Sequence, residues 1–419
     1  MTTGSLGRVP SAIFCADWGK ERQKRAVYVA DVSKRVIWRL LADGWSVAAV
    51  LEEAKRWAST GPVLATFDVP LGGPETYLQA LSKAHSWQQP VCFLDLLKRA
   101  PSMPKFFDGT AVASDWSVDR PFFSVPSGKG GLESYVVVAM RQGVDLYRRV
   151  DKMTRAKSPF IKSGIPGSVG SATCALWQEL ASGLTPDRAF KVWPFEGDID
   201  GLLASSPVVI AEMYPRAAYA TALLDLAPAL RPPLAVAKTN ARVRFETISS
   251  LRAAEWVGRL GVTIENLQEA EANEDDFDAC ITAAALLRCV LEGWPLCPAS
   301  PQWPASEGGM LGTGTVKFEL RGRTFGKRRG PRKASPAAQA GPPPIAAPRS
   351  RAEAKGERSY QCPIPGCAKL FRGSRGGWDA HVGSVRLHTK WHPDIKDPEA
   401  RRRQFKIEFH TFFRLDSLQ

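Results

Sequence analysis

The chain's 419 residues, 44% of them hydrophobic, allow about two to three domains, a sizeable core and the composition of an ordinary soluble protein. No apolar run reaches the roughly 18 residues a membrane helix needs, and MTTGSLGRVPSA lacks the apolar core of a signal peptide, so the expectation is a cytoplasmic protein. The formal net charge is +14, and all of the excess lies in residues 321–419, which hold 22 Lys/Arg against 8 Asp/Glu, while residues 1–320 hold 34 of each.

In chain order, residues 11–19 read SAIFCADWG. An apolar run that ends on Asp17 and then on a turn glycine predicts a short strand, buried on both faces, that delivers a carboxylate to its end. RAVYVADV (25–32) and RVIWRLL (35–41) follow as two more strand-like runs joined by short turns, an antiparallel meander. Ser46 is an N-cap candidate, and Val47, Val50, Leu51, Ala54, Trp57 and Ala58 then fall on one face of a helix that Gly61-Pro62 ends. VLATFDVP (63–70) predicts another buried strand; it ends on Asp68, and Pro70 stops further pairing. The order β-β-β-α-β lacks the strand-helix alternation and the Gly-rich first turn of a dinucleotide-binding unit.

Residues 74–205 predict an elaborated insertion, with helical patches at 77–85 and 173–181 between long Pro/Gly-rich surface loops. The glycine clusters at 128–131 and 164–170 lack phosphate-loop spacing and read as plain loops. Lys157, in AKSPF, reads as an exposed helix-end lysine, with a phosphate contact as its alternative. PVVIAEMYP (207–215) is a strand that ends on Glu212 and is broken by Pro215. Residues 235–258 read as helical and partly basic. NEDDFDACITAAALLRCVLEG then predicts a buried helix, capped by Asn273 and stopped by Gly293. Asp275 and Asp278 share one face of it with Thr282. A buried helix keeps carboxylates only when they are paired, capping or metal-bound. Partnering the helix N-terminus is the alternative role for Asp275 and Asp276; it accounts less well for Asp278, which sits inside the apolar part.

Strand-end acids from neighbouring parallel strands lie on one edge of a sheet, and a helix packed on that edge can add another. Three or four hard oxygen ligands around one point fit Mg²⁺ or Mn²⁺, whose charge offsets the mutual repulsion. Two such ions activate a water and stabilise the leaving oxygen of a phosphodiester. His85 is the body's only histidine, and no second acid-base device is evident.

The β-β-β-α-β start, with Asp on strand one and acids on later strands and a late helix, resembles the ribonuclease H-like superfamily. More narrowly, CADWG, TFDVPLG, AEMYP and DDFDACITAAAL look like the predicted ribonuclease H-like nucleases long filed as a domain of unknown function. That family is similar in showing a strand-one Asp, an (I/F)D-x-PLG motif, a (V/A)E-x-YP motif and a late D-A-x-x-A-A helix. WPFE at residues 193–196 also looks familial. The resemblance covers roughly residues 11–300. It implies Asp17, Asp68, Glu212 and Asp278 as catalytic carboxylates, with Asp275 as an additional cofactor-binding one. Asp17 would bridge two metals, Glu212 and Asp278 would each hold one, and Asp68 would complete the shell or orient water. Sugar kinases and actin-like ATPases share the strand-one Asp and following Gly but repeat the meander, and no second meander follows residue 200. A metal-free binding module on the same fold is the other alternative.

Residues 321–358, rich in Pro, Ala and Arg, predict a basic disordered linker. Cys362-x4-Cys367-x13-His381-x6-His388 then offers two thiolates and two imidazoles for a closed, structural Zn²⁺ site. Phe371 and Trp378 occupy the small-core positions of a ββα unit. The segment resembles zinc fingers that use two Cys and two His, and it departs from them in the longer His spacing, which leaves His392 as an alternative to His388. Six other cysteines, Cys15, Cys92, Cys174, Cys280, Cys289 and Cys297, are scattered and read as small buried hydrophobes in a reducing compartment. RRRQFKIEFHTFFRL near the end is a strand or a basic amphipathic arm. A basic tail on a neutral body suggests nucleic acid as the partner.

The expectation is therefore an α/β protein. Residues 1–320 form a ribonuclease H-like mixed sheet with a large insertion, 321–358 a linker, 359–395 a zinc finger and 396–419 a basic arm. The expected activity is Mg²⁺/Mn²⁺-dependent phosphodiester hydrolysis on DNA or RNA.

Overall fold

The structure, a computed structural model, describes residues 9–87, 91–126, 131–298 and 300–325, and beyond them 359–361, 370–372 and isolated positions between 394 and 400. The chain divides into two compact units, Met1–Arg332 and Lys333–Gln419. In the second, β-strands Ser359–Gln361 and Leu370–Arg372 pair antiparallel. Cys362, Cys367, His381, His388 and His392, most of the linker and the terminal arm lie outside the described residues.

The first unit is α/β. It opens with β1 (Ala12–Asp17), β2 (Ala26–Asp31), β3 (Val36–Leu40), α1 (Val47–Trp57) and β4 (Val63–Phe67). Next come α2 (Glu75–Ala84), α3 (Phe93–Arg99), β5 (Phe123–Ser124), α4 (Gly131–Arg141), α5 (Arg149–Thr154), β6 (Ile161–Ser163), α6 (Gly170–Gly183), β7 (Phe190–Val192) and α7 (Ile199–Ser205). The remainder is β8 (Val208–Glu212), α8 (Pro215–Leu223), β9 (Leu234–Val236), α9 (Ala241–Arg252), α10 (Glu255–Arg259), β10 (Thr263–Ile264), α11 (Leu267–Ala272), α12 (Glu274–Leu291) and β11 (Arg323–Phe325). Among the described residues no helix is long and apolar enough to cross a membrane.

Seven strands form a mixed central sheet in the order β10-β3-β2-β1-β4-β8-β7. The meander β1-β2-β3 is antiparallel, and β1, β4, β8 and β7 run parallel. Strands buried on both faces explain the unbroken apolar runs in β1, β4 and β8. Because side chains alternate, each strand serves two cores. Phe14, Ala65 and Ile210 face a core that includes Val47, Val50 and Ala54 of α1 and the insertion. Ile13, Cys15, Leu64, Val209 and Ala211 face a core that includes α12 and α8. The Ser46 hydroxyl caps α1 by accepting from the Ala49 N–H. Asn273 caps α12, and Gly293, at φ +66°, ends it as the Trp294 N–H reaches back to the Cys289 carbonyl.

Four expectations need correction. Pro215 does not only break a strand; it opens α8 from the first helical position, where a missing N–H costs nothing. Residues 234–236 are a strand, not the start of a helix, because β9 pairs in parallel with β11. That same pairing orders Arg323–Phe325, so the linker does not begin at residue 321. The insertion is no collection of surface loops. Phe93, Phe106, Phe122, Phe160 and Trp177 build an aromatic core within it, and its Phe190–Val192 segment is one of the sheet's two edge strands. Burying one such ring contributes on the order of 2 kcal/mol, which outweighs the local loop signals. Of the six scattered cysteines, Cys15, Cys174, Cys280 and Cys289 are buried, Cys297 is half-buried and Cys92 is exposed.

The PLG segment is held by contact between two main chains. Gly72 has φ +126°, and a Cβ there would lie 2.1 Å from the Glu307 carbonyl oxygen. The buried Glu307 carboxylate accepts from the N–H groups of Glu75 at 3.0 Å and Arg149 at 2.6 Å, tying the starts of α2 and α5 together. Gly72→Ala is therefore expected to destabilise the body by more than about 2 kcal/mol. Gly143→Ala, at φ +73° with nothing within 4 Å, should cost only about 1 kcal/mol of backbone strain. Urea titrations of the two variants make the comparison, and equal losses would show that the chain contact at Gly72 carries no weight.

Candidate metal centre

Three carboxylates converge at the C-terminal edge of the sheet. Asp17 ends β1, Asp68 follows β4, and Asp278 lies in the second turn of α12; each offers an oxygen within 4.8 Å of the others. Their meeting follows from register and alternation. Asp17 has the parity of Ile13 and Cys15, and Asp68 that of Leu64, so both carboxylates face α12. The Asp68 N–H bonds the Ala16 carbonyl, which sets the two strand ends level.

The turn after β1 fixes this arrangement. The Trp18 N–H donates to Asp68 Oδ1 at 2.8 Å. The buried Trp18 ring packs edge-on against Phe67 and lies under the Arg25 guanidinium, 3.8 Å from its ring centre. Arg25 bonds the Gly19 carbonyl and pairs with Glu179 of α6. A tryptophan in the DWG turn thus anchors the loop that carries one acid and positions another.

Glu212 lies on the same edge but does not join the cluster. It pairs with Phe67 in register and has the parity of Val208 and Ile210, so its side chain leaves the sheet on the insertion face. There the fully buried Arg148 donates to both its oxygens at 2.7 Å, and the Leu71 N–H donates to Oε2 at 2.8 Å. Arg148 also pairs with Asp151. Burial works against the guanidinium charge, but Asp151 and Glu212 outweigh it and hold Arg148 above its ordinary pKa.

Burial and mutual repulsion govern the cluster's protonation. Asp17 is pushed well above the carboxylate range, by burial first and then by Asp68 and Asp278. Its Oδ2 is buried with no hydrogen-bond partner among the described residues. Burial pushes Asp68 up to about 7, against the Trp18 N–H that favours its charge. Burial also raises Asp278, where Lys238 pulls the other way. Lys238, just past β9, is ion-paired to Asp278, and its Nζ lies 4.0 Å from Asp17 Oδ2. The Tyr219 hydroxyl of α8 donates to the other Asp278 oxygen.

Asp275 is half-buried outside the triad; its charge adds to the repulsion on Asp17, and its N–H bonds the capping Asn273. Asp276 pairs with Arg39 of β3. Glu196 of WPFE accepts from Arg188, Lys191 and the Val192 N–H, and His85 pairs with Asp119 beside Trp87. Lys238 and Tyr219 are the site residues that sequence reasoning missed. Neither stands in a recognisable motif, and nothing short of the packing of β9 and α8 against α12 brings them to Asp278.

A cleft of about 460 Å³ opens on this edge. Asp68, Glu212, Asp278, Tyr219 and Lys238 line it together with Arg155, Lys157, Tyr214 and Arg216. Three carboxylates with oxygens this close could hold a metal ion, and the orphaned Asp17 oxygen is the kind of buried acceptor that a cation satisfies.

A carboxyl whose pKa is higher in the folded than in the unfolded chain binds its proton more tightly when folded. The stability that Asp68 contributes is thus complete below its ordinary value of 3.8 and lost as the pH rises to about 7. In chelator, the melting temperature is expected to fall between about pH 4 and pH 7, and Asp68→Asn should flatten that fall. A steeper slope in the variant would contradict this assignment. Compared with models of known families, with curated proteins and with solved structures, the chain matches none.

Proposed function

We propose that the body is a metal-dependent nuclease on a ribonuclease H-like fold. The observation that carries the reading is the convergence of Asp17, Asp68 and Asp278 on one edge of a sheet that begins β-β-β-α-β. The donor set is all carboxylate oxygen, which suits Mg²⁺ or Mn²⁺ and not a thiolate- or imidazole-preferring metal. The chemistry such an ion supplies there is activation of a water and stabilisation of charge on a phosphodiester. Asp17 and Asp278 hold the ion from strand and helix. Asp68, oriented by the Trp18 N–H, completes the shell or orients the water. Glu212, held by Arg148, orders the wall of the cleft. The basic tail and a Zn²⁺ site built from Cys362, Cys367, His381 and His388 would dock the protein on nucleic acid.

One observation favours a second reading, an inactive nucleic-acid-binding or interaction protein. Lys238 already neutralises part of the cluster without any ion.

Two variants of the full chain separate these readings. Asp17→Asn should lower Mn²⁺-dependent cleavage of a labelled oligonucleotide by roughly a thousandfold. In chelator its melting temperature should stay level or rise, since one member of a repelling cluster is neutralised. Full activity in this variant would sink the nuclease reading. Lys238→Met removes the competing cation, so calorimetry should show Mn²⁺ binding tighter by about an order of magnitude. Absence of Mn²⁺ binding in both the parent and Lys238→Met would favour the inactive module.

A further inference from the structure

The cleft lined by Asp68 and Asp278 of the acid cluster also gathers cations that the proposed metal chemistry does not use. Arg155 and Lys157 come from the segment that follows α5, and Arg216 from the first turn of α8. Elsewhere in the body several cations are matched by acids, as in Arg25–Glu179, Arg39–Asp276 and Arg188–Glu196, and the buried Arg231 and Arg244 are met by main-chain carbonyls. Among the described residues these three cleft cations have no carboxylate partner. Arg216 reaches the Tyr214 hydroxyl, and its buried Nε has no hydrogen-bond partner among the described residues. The acids in the same cleft are engaged elsewhere, Glu212 by Arg148, Asp278 by Lys238 and Asp68 by the Trp18 N–H. Unmatched cations on the wall of a cleft whose inner end is acidic call for an anion that extends past the metal centre.

The depth of the acids restricts the shape of that anion. Asp17 is 8% exposed and Asp278 2%, so a phosphate that meets them must enter the cleft. A cavity of about 460 Å³ has the size of a pocket for one small organic ligand. It has room for about one nucleotide of a strand at a time. A positively charged groove that tracks one backbone is the usual way to hold single-stranded nucleic acid.

We propose that Arg155, Lys157 and Arg216 form a phosphate-binding track for a single strand of nucleic acid, whose next phosphate lies at the Asp17–Asp68–Asp278 cluster. This inference rests on the nuclease reading above and adds to it the strandedness of the substrate and the residues that select it. Lys157, expected from sequence at an exposed helix end, stands half-buried in the cleft lining, where a phosphate would meet it.

The test uses the full chain and the triple variant Arg155→Gln/Lys157→Gln/Arg216→Gln, with a fluorescein-labelled 12-residue single-stranded oligonucleotide and its blunt duplex. Binding is measured in Ca²⁺ over a range of salt, and cleavage in Mn²⁺. The parent is expected to cut the single strand at least about tenfold faster than the duplex. The variant should raise KM by about tenfold or more, leave kcat within about twofold, and lower the slope of log K against log salt by about 2, at about 0.7 per phosphate of a single strand. Should the triple variant fail to fold, Arg155→Gln and Lys157→Gln singly should each lower the slope by about 0.7. Unchanged KM and slope in an active variant would overturn the track, and equal cutting of the duplex would overturn the single-strand preference. If the parent cuts neither substrate but the variant loses slope in Ca²⁺, the track stands and the nuclease reading falls. If the parent cuts neither and the slope is unchanged, both fall.

Discussion

Alternation of side chains across a strand decides what this protein's acidic edge can do. Three parallel strands, β1, β4 and β8, each end in or just before a carboxylate, and register brings the ends level. The side of the sheet each acid takes is then a matter of one residue. Asp17 and Asp68 fall on the α12 face, where Asp278 waits; Glu212 falls on the other, where the insertion supplies Arg148. A shift of one residue in β8 would exchange Glu212 for Met213 and change the number of acids in the cluster.

Burying so many carboxylates requires compensation, and the structure supplies it differently on the two faces. On the insertion face Arg148 is fully enclosed and meets both Glu212 and Asp151 with good geometry, so both carboxylate charges are matched inside the protein. On the α12 face compensation is partial. Lys238 and Tyr219 satisfy Asp278, the Trp18 N–H serves Asp68, and Asp17 keeps an orphaned oxygen. Incomplete satisfaction of buried polar atoms is costly in a folded protein, and it concentrates where a ligand completes the set.

The insertion that follows β4 supplies part of the cleft wall. Its aromatic core packs on the α1 side of the sheet, and its C-terminal part adds the edge strand β7. Glu307 and the Gly72–Glu307 contact fasten α2 and α5 to the PLG turn. The same anchoring sets the segment after α5, with Arg155 and Lys157, against the opening of the cleft. Scaffold and cleft wall are therefore one construction, and a loop that looks dispensable in the sequence carries two of the cations that line the cleft.

Much of the central unit could be read from the sequence. The apolar runs at 12–16, 63–67 and 208–211, the helical face begun by Ser46 and the capped helix after Asn273 rest on local periodicity and local capping chemistry. The candidacy of Asp17, Asp68 and Asp278 was legible for a related reason: a carboxylate that interrupts an apolar run is conspicuous wherever the chain folds. The sequence also determined the concentration of charge in residues 321–419, since charge needs no fold to be counted. What tertiary structure decided is everything that depends on which residues distant in the chain meet. The exclusion of Glu212 depends on the register of β8 against β4. The presence of Lys238 depends on β9 being held extended by β11, a pairing across about ninety residues that no local propensity encodes. Arg148 and the aromatic insertion core likewise arise from non-local burial, which overrides the glycine and proline signals that marked those segments as loops.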